Sequence, residues 1–152
     1  MEKTFHIFTD GSAIGNPGPG GWAAVVIRGN KCWELSGSNP WTTISEMELL
    51  AAVEALRSIP VGSLVQLCSD SELLIRGMRF QVGRWQMQRW RNSRGIPLQH
   101  QQLWKELLAI NVRMNIRWQW IRGHNRHPFQ TRADALAYLA ARTQWCNLRM
   151  AA

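Results

Sequence analysis

The chain has 152 residues, 45% hydrophobic and 18% charged, a composition that excludes disorder and is long enough for one domain with a proper core. Lys and Arg total 18 against 10 acidic residues, and the resulting +8 points to a polyanionic partner, nucleic acid before an anionic membrane. No stretch is long enough to span a bilayer and no apolar leader opens the chain. Together with three cysteines that show no paired spacing, this makes a reducing, cytoplasmic location the expectation.

The first predicted element is a strand from Thr4 to Asp10, followed by a loop from Gly11 to Gly21 that is crowded with glycine and proline. That loop contains G-P-G-G-W-A, a formal match to a dinucleotide fingerprint. The match fails because W-A-A-V-V-I, which follows, reads as a strand where the fingerprint needs a helix. Strands over Trp22 to Arg28 and Cys32 to Ser38 come next, joined at Gly29-Asn30, so the first three strands should form an antiparallel meander. From Thr42 the composition becomes helical, with a Thr or Ser cap and Pro60 as a stop. On that helix Glu48 shares a face with Ala51, Ala52 and Ala55, whereas Glu46 and Glu54 fall on other faces and read as solvated.

A second buried strand, S-L-V-Q-L-C-S-D, ends at Asp70, and a short helix from about Ser71 to Gly77 should follow. The stretch from 76 to 100 carries Arg76, Arg79, Arg84, Arg89, Arg91 and Arg94 with Trp85 and Trp90 interleaved, and a helical piece from Val82 to Asn92. It is either a basic, aromatic-studded projection for nucleic acid or a solvated charged face with its tryptophans turned inward. A helix from Gln101 to Ile110, a strand N-I-R-W-Q-W-I, the loop R-G-H-N-R-H-P-F-Q and a last helix with Asp134 in its first turn complete the chain. The order predicts a single α/β domain over residues 1–152, with a mixed sheet and helices on its faces.

The only aspartates are Asp10, Asp70 and Asp134. In a parallel arrangement Asp10 and Asp70 would lie side by side at the carboxyl ends of adjacent strands. Close carboxylates repel unless a divalent cation lies between them, and hard oxygen donors select Mg²⁺ or Mn²⁺. Each residue also has an ordinary reading. Asp134 could complete a capping box with Thr131, Asp70 could cap the helix after it, Glu48 could be an exposed helix residue, and Asp10 could form a turn before Gly11. His124 could be a polar loop residue, and zinc binding by His124 and His127 lacks a nearby cysteine.

Together the motifs resemble the bacterial type I ribonucleases H. They are T-D-G-S-x-x-G-N-P-G-P-G-G (Thr9 to Gly21), M-E-L-x-A-A (Met47 to Ala52), S-D-S (Ser69 to Ser71), W-x-W-I-R-G-H-x-x-H-P (Trp118 to Pro128) and R-x-D-x-L-A (Arg132 to Ala137). The resemblance implies a five-stranded mixed sheet, with strands 1 to 3 antiparallel and strands 1, 4 and 5 parallel. It also implies a monomeric endonuclease that cuts the RNA strand of RNA–DNA hybrids, leaving 5′-phosphate and 3′-hydroxyl ends. Asp10, Glu48, Asp70 and Asp134 would hold two Mg²⁺ ions, with Mn²⁺ as a substitute, and His124 would assist proton transfer or product release. Gly11, Ser12 and Asn16 would face the RNA minor groove, Thr43 a DNA phosphate, and Ser71 and Glu72 the cleaved strand. Trp85, Arg84 and Arg89 would grip the DNA.

Several substrate-reading positions depart from the family pattern. Ile44 stands for an asparagine, Glu46 for a cation, Glu72 for a glutamine, Trp41 for an arginine, His100 for an asparagine and Gln81 for a tryptophan. Weaker hybrid affinity or altered cleavage preference is the expectation, with a non-cleaving hybrid-binding module as the alternative.

Overall fold

The computed structural model describes residues 3–123 and 127–151. Five strands form one sheet in the order β3-β2-β1-β4-β5. Strands β1 (Thr4–Ala13), β2 (Gly18–Arg28) and β3 (Lys31–Thr42) pair antiparallel, while β4 (Leu64–Ser69) and β5 (Asn115–Trp120) run parallel to β1. The mixed sheet is therefore as expected.

Alternation along the strands sorts the core into two faces. Phe5 and Ile7 of β1 and Ala24 and Val26 of β2 meet Leu49, Ala52, Val53 and Leu56 of helix α1 (Ile44–Arg57). Phe8, Val25 and Cys68 point the other way and meet Ala133 of helix α5 (Pro128–Ala151). The Glu34 carboxylate on β3 accepts hydrogen bonds from Arg132, tying α5 to the outer strand.

Strand β3 runs past its expected end at Ser38 to Thr42, and three further differences from expectation each have a tertiary reason. The glycine-rich stretch is mostly strand: β1 continues to Ala13 and β2 begins at Gly18, so Asp10 lies within β1, opposite Ala23, rather than at its end. The glycines there serve the approach of helices, not a wide turn. A Cβ at Gly11 would meet the backbone nitrogen of Glu48 at 2.4 Å, and one at Gly21 would meet the Ala137 carbonyl oxygen at 2.5 Å. Helix α5 starts at Pro128, so Asp134 is in its second turn and Thr131 is inside the helix. A capping box from Thr131 is excluded.

The third difference lies in the basic stretch. Helix α2 (Glu72–Arg76) passes through one π-helical turn (Gly77–Gln81) into helix α3 (Val82–Met87), which stops five residues short of Asn92. Arg89 and Trp90 then take left-handed backbone conformations (φ 53° and 61°). The Trp90 side chain is 9% exposed and packs into the core, and its backbone N–H donates to the Trp85 carbonyl. Burying an indole outweighs a strain of about 1–2 kcal/mol per left-handed residue. Helix α4 (Gln101–Asn111) lies beneath, with its buried Trp104 over Gly77, where no side chain would fit. Trp85 is half-buried against Trp104, ring centroids 4.8 Å apart, while Arg84, Arg89, Arg91 and Arg94 are exposed. The stretch therefore combines both expectations: the arginines face solvent, Trp90 belongs to the core, and Trp85 presents only part of its ring.

Candidate active site

The register sets Thr9 of β1 beside Ser69 of β4, so the next residues, Asp10 and Asp70, stand together where the parallel pairing of the two strands ends. Helix α1 supplies Glu48. Its start is fixed by Thr43, whose hydroxyl accepts a hydrogen bond from the Glu46 N–H (3.2 Å), and by the Asn16 carboxamide oxygen, which accepts from the Ile44 N–H (2.9 Å). With Gly11 admitting the helix backbone, Glu48 reaches the two aspartates. One carboxylate oxygen from each of Asp10, Glu48 and Asp70 lies within 4.8 Å of the others. Asp134, on the second turn of α5, comes within hydrogen-bonding reach of Asp10. All four carboxylates converge.

Burial and mutual repulsion dominate the electrostatics of Asp10 and Glu48. Asp10 is 5% exposed, and burial, reinforced by Asp70 and Asp134, pushes its carboxyl up to about 8, although the Gly11 N–H donates to Oδ1 at 2.9 Å and pulls the other way. Burial likewise pushes Glu48 up to about 7, with a hydrogen bond from Ser71 opposing and the charge of Asp70 assisting. A cluster of hard carboxylate oxygens with raised proton affinity fits a divalent cation, whose charge would replace the protons.

The other sequence-identified residues occupy defined places. Ser71, buried, caps α2 by accepting from the Leu74 N–H (3.2 Å), and this rather than Asp70 is the helix cap. Ser12 pairs with Gly21 inside the sheet. Glu72 is exposed beside Asp70, and Ile44 is exposed at the start of α1. Glu46 is half-buried rather than solvated and accepts a hydrogen bond from the Thr42 hydroxyl at 2.7 Å. His124 lies outside the described residues. His127, the next described residue, stacks on Phe8 at 4.5 Å between centroids.

Two contributors escaped the sequence reading. Buried Gln130 donates through Nε2 to the Thr9 carbonyl (3.0 Å), joining α5 to β1 one residue before Asp10. The Trp120 indole N–H donates to the Asp70 carbonyl (3.3 Å). Gln130 precedes Asp134 by four residues and so shares its helix face, a signal visible only once the helix is known to begin at Pro128.

A sequence model of the RNase H family matches residues 2–142. The chain belongs to the ribonuclease H family. It is 40% identical over 137 residues to ribonuclease HI of Caulobacter vibrioides, spanning 90% of this chain and 92% of that protein. With ribonuclease H of Geotalea uraniireducens it shares 43% over 135 residues, spanning 89% and 92%. Among solved structures it is similar to LC9-RNase H1, a type 1 RNase H with the type 2 active-site motif, with a TM-score of 0.84 and 27% identity over 95% of this chain and 74% of that one. LC11-RNase H1, solved in complex with an RNA/DNA hybrid, shares the fold at 22% identity, with a TM-score of 0.69 over 91% of this chain and 97% of that one. Family members are metal-dependent, in keeping with the acidic cluster.

Proposed function

We propose that the chain is an endoribonuclease that hydrolyses the RNA strand of RNA–DNA hybrids, leaving 5′-phosphate and 3′-hydroxyl ends. The observation that carries the proposal is the convergence of Asp10, Glu48 and Asp70, their oxygens within 4.8 Å of one another, with Asp134 beside Asp10. These four residues would hold two Mg²⁺ ions, with Mn²⁺ as a substitute. Such ions lower the pKa of an attacking water and neutralise charge on the leaving oxygen.

The protein's own groups supply orientation. The Gly11 N–H fixes one oxygen of Asp10, and the Ser71 hydroxyl bonds Glu48, so both carboxylates are aimed before substrate arrives. Asn16 and the β1 residues Gly11 and Ser12 would face the 2′-hydroxyls that distinguish RNA. Exposed Arg84 and Arg89, with the open part of Trp85, would hold the DNA strand, and Thr43 would meet one of its phosphates. Glu72 brings an anionic group near the cleaved strand and Ile44 removes a hydrogen-bonding side chain, so affinity should fall below that of relatives with amides at these positions. His124 is proposed as the group that assists proton transfer or product release. Among the described residues no helix is long and apolar enough to cross a membrane. A monomeric, single-domain enzyme working in the cytoplasm is part of the proposal.

The test is cleavage of matched RNA–DNA hybrid, double-stranded RNA and double-stranded DNA, with Mg²⁺, with Mn²⁺ and with chelator. Cutting confined to the hybrid and dependent on the ion is the expected result. Binding of the hybrid without product in either metal would overturn the enzymatic reading and leave a binding module.

A further inference from the structure

A groove lies beside Asp70, and its Arg76, Arg79 and Phe80 have no part in the proposed cleavage. Glu72, Ile75, Arg76, Arg79, Phe80 and Trp120 line the groove. Two of these are large aromatics left in solvent, Phe80 at 70% and Trp120 at 40% exposure, in a protein that buries Trp90, Trp104 and Trp118. The Arg79 guanidinium lies 5.0 Å from the Phe80 ring centroid, so the ring already carries a cation on one side. Among the described residues, no carboxylate pairs with either Arg76 or Arg79.

Exposed aromatic rings flanked by unpaired arginines are the composition of a site for unpaired nucleotides. Rings offer stacking to a base, and guanidinium forks take the phosphates on either side. Within a paired duplex the base faces are already stacked on each other, so face-to-face stacking on these rings is open chiefly to unpaired bases. The groove is also mechanically joined to the metal-binding edge through the bond from Trp120 to the Asp70 carbonyl. Glu72, the one carboxylate in the lining, disfavours phosphates beside it and leaves them to Arg76 and Arg79.

We infer that this groove binds an unpaired extension of the RNA strand, continuing beyond the hybrid duplex that the carboxylates cut. The enzyme would then prefer hybrids whose RNA runs past the end of the DNA on one side. This inference rests on the proposed hybrid cleavage and adds to it a preference for the junction between hybrid and single strand.

The experiment is an internal competition. Two hybrids with the same duplex, one blunt and one carrying a three-nucleotide RNA extension, are cut in the same tube, and the ratio of kcat/KM is read. Each end of the RNA is extended in turn, and matched DNA-strand extensions serve as the comparison. The expected ratio is on the order of tenfold for RNA extended at one end and about one for the DNA extensions, since one stacked base suffices for such a factor. Phe80→Ala and Arg79→Ala should bring the ratio towards one, and Phe80→Trp should retain it. No preference in the unaltered protein, a preference untouched by both alanine variants, or an equal preference for DNA extensions would overturn the inference while blunt-hybrid cleavage stands. Failure to cut the blunt hybrid at all would instead overturn the enzymatic reading on which it rests.

Discussion

Replacing Asp10 with asparagine should abolish cleavage and yet stabilise the protein, by an amount that depends on pH and on divalent cations. The side chain is buried, and its carboxyl is pushed from 3.8 up to about 8 by burial and by the charges of Asp70 and Asp134. Because the folded-state value is the higher one, folding takes up a proton between these limits. This carboxyl therefore costs no stability below about pH 4, and the cost grows as pH rises towards 8, at about 1.4 kcal/mol per pH unit. The full interval sets a ceiling of several kcal/mol, and coupling to Asp70 and Asp134 reduces the usable part to roughly 1–3 kcal/mol near neutral pH. Asparagine is isosteric, keeps an oxygen for the Gly11 N–H, and offers its amide hydrogens to the neighbouring carboxylates.

The assay is thermal unfolding of both proteins in chelator at pH 4.5 and pH 8, then at pH 8 with saturating Mg²⁺. For a domain of this size, the variant should melt roughly 3–10 °C higher at pH 8 in chelator. The gap should close at pH 4.5, where the native carboxyl is already protonated. It should also narrow with Mg²⁺, which binds the folded wild type and offsets the repulsion. A variant equal to or less stable than wild type at pH 8 in chelator would refute the electrostatic account of the cluster.

Gly11→Ala should lose activity and destabilise the fold by about 2 kcal/mol or more, because its Cβ would meet the Glu48 backbone at 2.4 Å and neither main chain can yield locally. Denaturant unfolding with single-turnover cleavage checks both effects. Gln130→Ala should cost about 1–3 kcal/mol by leaving the Thr9 carbonyl buried without its partner, again measured by denaturant unfolding. It should also lower kcat more than it raises KM, because it loosens the helix that carries Asp134 without touching substrate. Replacing Arg84, Arg89 and Arg91 together should weaken hybrid binding and flatten the plot of log affinity against log salt by about one unit for each phosphate no longer neutralised. An unchanged slope would mean that these arginines are only solvated.

Periodicity and composition were enough to read the antiparallel meander, the two later parallel strands and the long helices. Each depends on local side-chain patterning that survives in any context. The carboxylates were legible for a related reason. A basic chain with three aspartates has few ways to use them, and the strand order brings two of them to one edge. The family motifs then tied Glu48 and Asp134 to the same point.

Tertiary structure decided what local pattern could not carry. Glycines at 11 and 21 signal a turn in one dimension, but in three dimensions they are the places where α1 and α5 come down onto β1 and β2. The pattern around Trp90 reads equally as an exposed basic projection or as a charged face with its tryptophans turned inward; the core takes the Trp90 indole, and the backbone bends into left-handed conformations there. The start of α5 at Pro128 removed the capping role for Asp134 and brought Gln130 onto the face that meets β1. The sequence alone determined which groups could do the chemistry, because charge and donor type belong to the residue. Only the fold decided how strongly those groups perturb one another, because burial and distance belong to the packed chain.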